Sequence, residues 1–364
     1  MRDELAPDFT KTIQTFNIGG IAARRGEHYT NKTAPGQMGA NFAENEYAEK
    51  NKETGMKQAV IDIGSNSIRL TLYAVEGRNF NILFREKIMA GLAGYVEKGA
   101  LSGEGIARAK SALLEFKRTL ELLDIRRVAV IATASLRNVT NTDQAVRELQ
   151  QTTGFPVTVL SGQQEAQLGY AGAMEELHLK SGVFVDVGGA STEVVAFQGG
   201  QVVDSASFAV GSLSLYRSCV KKILPGPGSL ERIRHTLRRE MDEKGLSPKG
   251  KRSPLVGVGG TARAVLKLAR QRYDLDGDCP AVARAQLEEL AHLLTCGEER
   301  EAAGLILKTA PDRIHTLVPG LMVLVHIIKA FHADELVVSR YGVREGYLCQ
   351  MLQTPAAPIR RTGN

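Results

Sequence analysis

The sequence predicts two α/β domains of similar topology with a cleft between them. The main observation is a repeated pattern, found as IDIGSNSIRLTL at 61–72 and as VDVGGASTEVVA at 185–196. In each copy an apolar strand carrying an aspartate leads through a turn of glycine and small polar residues into a second apolar strand. The two aspartates, Asp62 and Asp186, are 124 residues apart, which is the spacing of a duplicated domain rather than of a short repeat. Between and after the copies, short apolar strands alternate with amphipathic helices, as is typical of α/β proteins.

In the first half of the chain, strands are expected wherever a short apolar run rich in β-branched residues is bounded by turn residues. Helices are expected where apolar residues recur every three or four positions, as Ile106, Ala109, Leu113 and Phe116 do. Gly154 is expected to end its helix, because glycine adopts the left-handed conformation that closes many helices. These rules predict strands at 58–64, 68–77, 79–88, 127–134 and 157–162 and helices at 105–124, 142–154 and 163–177.

The second half opens with the other copy of the pattern, a strand, turn and strand within 182–200. A further strand, at the start of PLVGVGGTARAVLKLA (254–269), runs through three glycines directly into a helix. The remaining predictions are helices at 284–296, 298–308, 313–331 and 343–352 and a strand at 335–340.

The predicted domain boundaries follow from these elements and from one composition shift. Residues 1–55 show no sustained period and are predicted to be a disordered N-terminal extension. The first domain is predicted at 56–178, joined by the C-terminal helix at 343–353, and the second at 179–342. Residues 354–364 are predicted to be a tail.

Composition excludes several classes of protein. The four cysteines are far apart without a CxxC pair, which argues against a zinc ribbon or a disulfide framework and favours the reducing cytoplasm. The longest apolar stretch, 317–331, contains proline, histidine and lysine and is too short to cross a bilayer. The first residues lack the apolar core of a secretory signal. We therefore expect a cytoplasmic protein without a membrane partner.

The net charge of +6 is concentrated in one segment. Residues 217–272 hold fifteen lysines and arginines against four acidic residues, which is a footprint for a polyanion. Tryptophan is absent and aromatic residues make up 5% of the chain, so stacking platforms are scarce and we expect no nucleic-acid partner. Two interpretations of the segment stay open, a surface for another polyanion or a solvated helix face.

The two aspartate–glycine turns can hold phosphate. Converging backbone N–H groups in such turns bind phosphate oxygens, and glycine permits the close approach. Two turns facing each other across a cleft would hold a phosphate chain from both sides, and Asp62 and Asp186 would supply hard oxygen ligands for Mg²⁺. The GVGG turn at 257–260 is a third candidate. Its glycines do not form a dinucleotide-binding fingerprint, and the chain has no GxxxxGK(S/T) phosphate loop.

Six segments resemble, in order and spacing, those of one known family. They are DIGSNSIRL, ATASLRNVTN, LSGQQEAQL, FVDVGGASTE, GVGGTAR and VSRYGVREG, and together they extend over roughly residues 57–353. The family is that of the exopolyphosphatases and guanosine pentaphosphate phosphohydrolases (Ppx/GppA). The resemblance implies a duplicated ribonuclease-H-like fold of the actin, Hsp70 and sugar kinase superfamily, in a short two-domain form. It also implies hydrolysis of the terminal phosphate of inorganic polyphosphate, of guanosine pentaphosphate, or of both.

The resemblance further assigns catalytic roles. Glu165 in LSGQQEAQL matches the family's catalytic glutamate, which would orient the attacking water or take its proton. Asp62 and Asp186 match aspartates associated with the metal, and Asp186 and Glu193 are expected beside Glu165 in catalysis. Mg²⁺ is the implied cofactor, with a potassium requirement left open. A homodimer is the implied assembly.

Substrate-binding residues are implied in the same way. Arg137 matches an arginine near the substrate and is expected to bind phosphate, a task that suits the planar guanidinium. Arg69, just after the first hairpin, is a further candidate from its position, and two interpretations of it stay open, phosphate binding or an internal ion pair. Further phosphate contacts are expected from the three turns, at Gly64, Ser65, Asn66, Ser67, Gly188, Gly189, Ser191, Thr192, Gly259, Gly260 and Thr261.

Two positions depart from the family's motifs. Gln164 precedes Glu165 where many members have a second acid, and Ala190 stands where the second loop more often has glycine. If position 190 needs a positive φ, alanine there costs about 1 kcal/mol or more. Two other functions stay open: an ATP-using kinase or ATPase of the same superfamily, and a sensor that binds guanosine tetraphosphate or polyphosphate without hydrolysing it.

Overall fold

The computed structural model describes residues 55–244 and 250–353. The predicted extension at 1–55, apart from Gly55, and the predicted tail at 354–364 lie outside the described residues. In the part described, the chain forms two main sheets with helices packed around and between them.

The first sheet comes from the first half of the chain. Its strands and the ribbon beside it are β1 (Met56–Ile63), β2 (Ile68–Glu76), β3 (Asn79–Ile88), β4 (Val96–Glu97), β5 (Ala100–Leu101), β6 (Val128–Ala132) and β7 (Val157–Val159). The sheet order is β3-β2-β1-β6-β7, and β4 pairs with β5 separately. The strands β1, β6 and β7 are parallel, whereas β2 is antiparallel to both of its neighbours. The helices are α1 (Gly103–Leu122), α2 (Ala134–Arg137), α3 (Thr142–Thr153) and α4 (Gly162–Leu177).

The second sheet comes from the second half. Its strands are β8 (Gly182–Val187), β9 (Thr192–Gln198), β10 (Gln201–Phe208), β11 (Leu255–Val258), β12 (Ala281–Ala283) and β13 (Glu335–Val338), in the order β10-β9-β8-β11-β13-β12. The strands β8, β11 and β13 are parallel, and β9, β10 and β12 are antiparallel to their neighbours. The helices are α5 (Ser212–Cys219), α6 (Pro227–Lys244), α7 (Gly259–Tyr273), α8 (Arg284–Cys296), α9 (Glu299–Thr309), α10 (Leu317–Ala330) and α11 (Val343–Gln353).

The two sheets repeat one topology. In both, a central strand has an antiparallel hairpin on one side and two parallel strands on the other, and the second sheet adds β12 at its edge. This is the duplicated ribonuclease-H-like arrangement, so the expected fold class is confirmed.

Helices α4 and α11 lie between the two sheets. Leu168 of α4 and Leu348 of α11 share an apolar cluster with Val60 of the first sheet. On its other side, α4 places Ala166 in a cluster with Phe184 of the second sheet. The two larger cores are formed by the first sheet with α1 and α3 and by the second sheet with α7, α8 and α10. The position of α4 therefore depends on both halves of the chain.

Glycine permits the close approach of α4 and α11. A Cβ atom on Gly172 would collide with the carbonyl oxygen of Gly342, and a Cβ atom on Gly346 would collide with that of Leu168. Both obstacles are backbone atoms in a packed interior, so no rotamer change would relieve them.

Some elements escape the sequence rules. The structure contains β10, β12, α5 and α6, which the rules do not predict. The strand β10 is largely exposed, so its apolar pattern is weak. The helix α6 does place Leu230, Ile233 and Leu237 at helical spacing among its charged residues, a signal that the interpretation did not use. The helix predicted at 313–331 begins at Leu317, because residues 311–313 form a separate 3₁₀ turn.

Two observations concern disulfide-linked and membrane-spanning proteins, which the composition argued against. All four cysteines are free, and Cys219 is buried. Within the described ranges, every helix is too short or too polar to cross a membrane.

Gly346→Ala is expected to lower the free energy of unfolding by about 1–3 kcal/mol, because the added methyl group overpacks the contact between α4 and α11. The matched control is Gly304→Ala, since Gly304 lies inside α9 with open space around it. There alanine is expected to add about 0.5–1 kcal/mol through its higher helix propensity. Urea denaturation of both variants measures the difference, and equal stabilities would contradict the packing argument.

Candidate active site

The two repeated turns have the same backbone geometry. The N–H of Gly64 donates to the carbonyl of Ser67 at 3.2 Å, and the N–H of Gly188 donates to that of Ser191 at 2.9 Å. A Cβ atom on either glycine would lie 3.0 Å from the carbonyl oxygen of its serine partner. A side chain at either position would therefore crowd the carbonyl oxygen that closes the turn, which favours glycine there.

These turns face each other across a cleft. A Cβ atom on Gly189 would lie 3.4 Å from the Cβ of Ser65, which places the tips of the two loops side by side. The cleft has a volume of about 990 Å³, including space open to solvent. The expected site residues that line it are Asp62, Gly64, Ser65, Asn66, Ser67, Arg69, Glu165, Asp186, Gly188, Gly189, Ser191, Gly259 and Gly260.

Two other expected residues, Thr192 and Thr261, lie behind this lining. The hydroxyl of Thr192 donates to the carbonyl of Val210 at 2.7 Å, and the hydroxyl of Thr261 donates to that of Val187 at 3.2 Å. Both threonines are buried, so they support the loops from within the second half.

The third turn leads into α7 at the cleft. Gly259 has a φ of +79°, and a Cβ atom there would lie 2.5 Å from Oδ1 of Asp186. The guanidinium of Arg313 occupies the space where a side chain of Gly260 would begin. The N-terminus of this 15-residue helix therefore faces the cleft. Its two glycines let charged groups approach the helix backbone, and the free N–H groups at a helix N-terminus suit an anion.

Five arginines line the cleft: Arg69, Arg263, Arg313, Arg340 and Arg344. Burial, together with repulsion from Arg69 and Arg344, lowers the pKa of Arg263 to about 10. Burial and the neighbouring charge of Arg69 also lower the pKa of Arg313. Like charges held this close favour the binding of an anion between them.

Four of these arginines are absent from the residues expected from sequence. Arg263 is within GVGGTAR, and Arg340 and Arg344 are within VSRYGVREG, so the motifs contained a signal that the interpretation did not use. Arg313 lies in the short 3₁₀ turn outside the quoted motifs.

The basic segment at 217–272 does not form one surface at the cleft. Among the described lysines and arginines of this segment, Arg263 alone lines the cleft. Others bind elsewhere: Arg232 donates to the carbonyl of Cys219, Arg270 to that of Cys279, and Arg217 to that of Ala93. The positive charge of this segment is therefore spread over separate places rather than gathered at the cleft.

Glu165 lines the cleft near the start of α4. It is 8% exposed, and its Oε2 accepts a hydrogen bond from Nη1 of Arg137 at 2.6 Å. Burial raises the pKa of Glu165 to about 7 against the attraction of Arg137, and Asp186 and Asp62 add to the rise. A carboxyl group with a pKa near neutrality is able to take up and release a proton at physiological pH.

Arg137 lies behind Glu165 and is not part of the cleft lining. Besides Glu165, its Nη1 donates to the carbonyl of Leu160 at 3.0 Å, and its Nη2 lies 3.6 Å from Oε1 of Glu193. In this structure Arg137 binds two glutamates and a backbone carbonyl, and its expected contact with phosphate stays a prediction.

Glu193 is the second of these glutamates and comes from β9. Its Oε1 accepts from the hydroxyl of Ser207 at 2.9 Å, whereas its buried Oε2 has no hydrogen-bond partner. Burial and the charges of Glu165 and Asp186 raise the pKa of Glu193 well above its usual value. Because Arg137 lies closer to Glu165, we expect Glu193 to keep its proton while Glu165 titrates.

The donor set at Asp62 and Asp186 fits a hard divalent cation. Both carboxyl groups line the cleft, and burial raises the pKa of each while the neighbouring arginines oppose the rise. The described residues contain no group of three or more His, Cys, Asp or Glu side chains arranged for a metal. Mg²⁺ commonly uses one or two carboxylates together with waters and substrate phosphate, so two aspartates are sufficient.

The two departures from the family motifs have structural explanations. Ala190 is not among the described residues with a positive φ, so alanine is unstrained there. Gln164 completes a capping box at the start of α4: its N–H donates to Oγ of Ser161 at 3.1 Å, and its Oε1 accepts from the N–H of Ser161 at 2.8 Å. Gln164 therefore stabilises the helix turn that carries Glu165.

Comparison with known proteins identifies the family. The model of the Ppx/GppA phosphatase family matches residues 71–355. The chain belongs to this family. A Haemophilus influenzae relative, provisionally named an exopolyphosphatase, is 28% identical over 294 residues, which are 80% of this chain and 90% of that protein.

Solved structures share the fold of this Ppx/GppA chain. The crystal structure of the Aquifex aeolicus family member matches with a TM-score of 0.68 at 25% identity, over 82% of this chain and 98% of that one. An exopolyphosphatase from Cytophaga hutchinsonii matches with a TM-score of 0.72 at 20% identity, over 81% of this chain and 97% of that one.

In this Ppx/GppA protein, Glu193→Gln is expected to raise the free energy of unfolding at high pH. A carboxyl group whose pKa is raised by folding contributes stability below its unfolded pKa, and that contribution is lost as pH rises through the folded pKa. Glutamine resembles the protonated form and has no such loss. The advantage of the variant is expected to grow with pH, by up to about 1.4 kcal/mol per pH unit.

Urea denaturation between about pH 5 and about pH 9 measures this difference. Glu148→Gln is the control, because hydrogen bonds from Lys110 and Gln144 lower the pKa of that half-buried glutamate. A constant difference between wild type and Glu193→Gln across the range would contradict the assignment of a raised pKa.

Proposed function

We propose that this protein is a phosphoanhydride hydrolase, an exopolyphosphatase that removes the terminal phosphate of inorganic polyphosphate. The observation that carries the proposal is Glu165, whose pKa is raised to about 7 at the wall of a cleft lined by phosphate-binding turns and arginines. Membership of the Ppx/GppA phosphatase family and the names of its relatives support the same activity.

The reaction needs positioning and charge stabilisation more than covalent chemistry. The backbone N–H groups of the two facing loops and of the start of α7 would hold the phosphate oxygens. The guanidinium groups of Arg69, Arg263 and Arg344 would balance the negative charge that spreads over the transferred phosphoryl group. Glu165 would orient a water in line with the scissile bond and accept its proton.

Mg²⁺ is the cofactor that we propose, with Asp62 and Asp186 as its protein ligands. When bound, it would neutralise phosphate charge beside the reacting phosphorus. Arg137 would keep Glu165 in place and partly ionised, and Glu193 would keep its proton behind the pair.

Guanosine pentaphosphate is proposed as a second substrate. Its 5′ end presents the same kind of terminal phosphoanhydride, and a nucleotide needs only a few positive contacts. Four arginines at the cleft are largely buried, Arg69, Arg263, Arg313 and Arg344. They could bind either a polyphosphate chain or a nucleotide, and the assay below compares the rates on the two substrates.

Glu165→Gln is expected to lower kcat for phosphate release by about 100-fold or more while substrate binding is kept, because the amide cannot accept the proton of water. The assay offers long-chain polyphosphate and guanosine pentaphosphate in parallel, with Mg²⁺, and measures released phosphate. Binding is followed by calorimetry. Glu175→Gln is the matched control, since Glu175 is an exposed glutamate on the same helix.

The outcomes separate the candidate functions. Release from polyphosphate that is lost in Glu165→Gln supports the proposed activity, and release from the nucleotide alone would make the protein a guanosine pentaphosphatase. Binding without release in wild type would instead support a sensor. Full turnover in Glu165→Gln would contradict the role of Glu165.

The pH dependence provides a separate test. Because Glu165 acts in its ionised form, kcat/KM is expected to rise with pH through about 7. Arg137→Met removes a positive charge that lowers the pKa of Glu165, so this limb is expected to move to higher pH. Arg126→Met, at an arginine that is 87% exposed, is expected to leave the limb unchanged. A limb that does not move in Arg137→Met would contradict the assignment.

A further inference from the structure

The carboxylate of Glu176, outside the cleft, binds the chain segment that begins at Ser339 and enters the cleft. Glu176, in the last turn of α4, accepts three hydrogen bonds at Oε2: from Oγ of Ser339 at 2.7 Å, from the N–H of Arg340 at 2.7 Å and from the N–H of Tyr341 at 3.3 Å. Its Oε1 accepts from Nε of Arg340 at 2.5 Å. Burial alone would raise the pKa of Glu176, but the hydrogen bonds from Ser339 and Arg340 lower it below its usual value.

The held segment joins the second sheet to α11. It runs from the end of β13 at Val338 to the start of α11 at Val343, and we call residues 339–342 the crossover. Two residues after it comes Arg344, in the first turn of α11, whose Nη1 donates to Oγ1 of Thr71 at 2.9 Å. Burial works against the charge of Arg344, but Glu345 and Asp62 raise its pKa. The direction in which the crossover leaves β13 therefore sets where this guanidinium lies beside Asp62.

A second carboxylate fixes the other end of the crossover. Glu345 is 1% exposed, and its Oε2 accepts from the N–H of Gly342 at 2.9 Å. Its Oε1 accepts from the hydroxyl of Tyr73 on β2 at 2.9 Å. The crossover is thus held to α4 by Glu176 and to the first sheet through Glu345, and neither contact involves a group that reacts.

We propose that Glu176 is a positioning residue: by holding the backbone of the crossover, it places Arg344 at the cleft for binding of the substrate's phosphates. The inference rests on the proposed function, because it concerns the affinity of the same cleft for a phosphoanhydride. The Oε2 contacts carry this role, whereas the contact of Oε1 with the exposed side chain of Arg340 does not.

The two oxygens of Glu176 allow these contacts to be separated. Glu176→Ala removes the contacts of both oxygens. Glu176→Gln keeps one carbonyl oxygen, which can still accept from Ser339 and from the N–H groups of the crossover, but it loses the contact with the side chain of Arg340. In Glu176→Ala the dissociation constant for tripolyphosphate is expected to rise about tenfold relative to Glu176→Gln, which loses the same charge beside Arg340 but keeps the contacts that hold the crossover. Glu288→Ala, which removes a carboxylate paired with Arg284 on α8, is the control and is expected to cause no change.

Calorimetry on the full chain in the Glu165→Gln background, with Mg²⁺, measures these constants without turnover of the probe. The decisive comparison adds Glu176→Ala to Arg344→Met. If Glu176 acts through Arg344, the combined variant is expected to bind no more weakly than Arg344→Met alone. Should Glu176→Ala fail to fold, Glu176→Asp, which keeps the charge but is one methylene short, takes its place with the same expected direction.

Each outcome is informative. Additive losses in the combined variant, or a Glu176→Gln variant as weak as Glu176→Ala, would overturn the positioning role. An unchanged dissociation constant in Glu176→Ala would overturn it as well. Failure of the background protein itself to bind tripolyphosphate would instead contradict the proposed function.

Discussion

The packing of α4 and α11 between the two sheets is the constraint on which the site depends. Gly172 and Gly346 let the two helix backbones approach more closely than any side chain would permit. With α4 fixed in this way, its first turn places Glu165 at the cleft and its last turn places Glu176 at the crossover. One buried helix therefore connects the group proposed to act on water with the segment that carries Arg344.

The charges at the cleft are only partly balanced by one another. Four carboxyl groups, at Asp62, Glu165, Asp186 and Glu193, have raised pKa values because burial disfavours their ionised forms. The facing arginines repel one another, and burial and this repulsion lower the pKa of Arg263. An anionic ligand would offset the repulsion among the arginines. A divalent cation bound with it would favour the ionised forms of the buried carboxyl groups.

Sequence predicted the parts of the site that depend on local pattern. The loops at Gly64 and Gly188 were predictable because the same sequence pattern recurs 124 residues apart and because a tight turn favours glycine. Arg263, Arg340 and Arg344 lie within the quoted motifs and Arg313 does not, but the convergence of all four depends on how distant elements pack, which the sequence pattern does not give. The basic segment at 217–272 shows the converse, since of its described lysines and arginines only Arg263 lines the cleft, while others such as Arg232 and Arg270 bind backbone carbonyls elsewhere. Charge counted along a chain does not reveal which cations face one cavity.

The duplication is symmetrical in backbone but not in charge. In the first hairpin Asp62 pairs across the strands with Arg69, and at the equivalent place in the second hairpin Asp186 pairs with Glu193. Arg69 opposes the rise in the pKa of Asp62, whereas Asp186 contributes to the rise in the pKa of Glu193. One copy of the hairpin therefore carries a cation at this cross-strand position, and the other carries a carboxyl group whose pKa is raised well above its usual value. Two identical copies would carry the same charge at both positions, so the divergence at this single position gives the two halves of a duplicated fold different electrostatic properties beside the cleft.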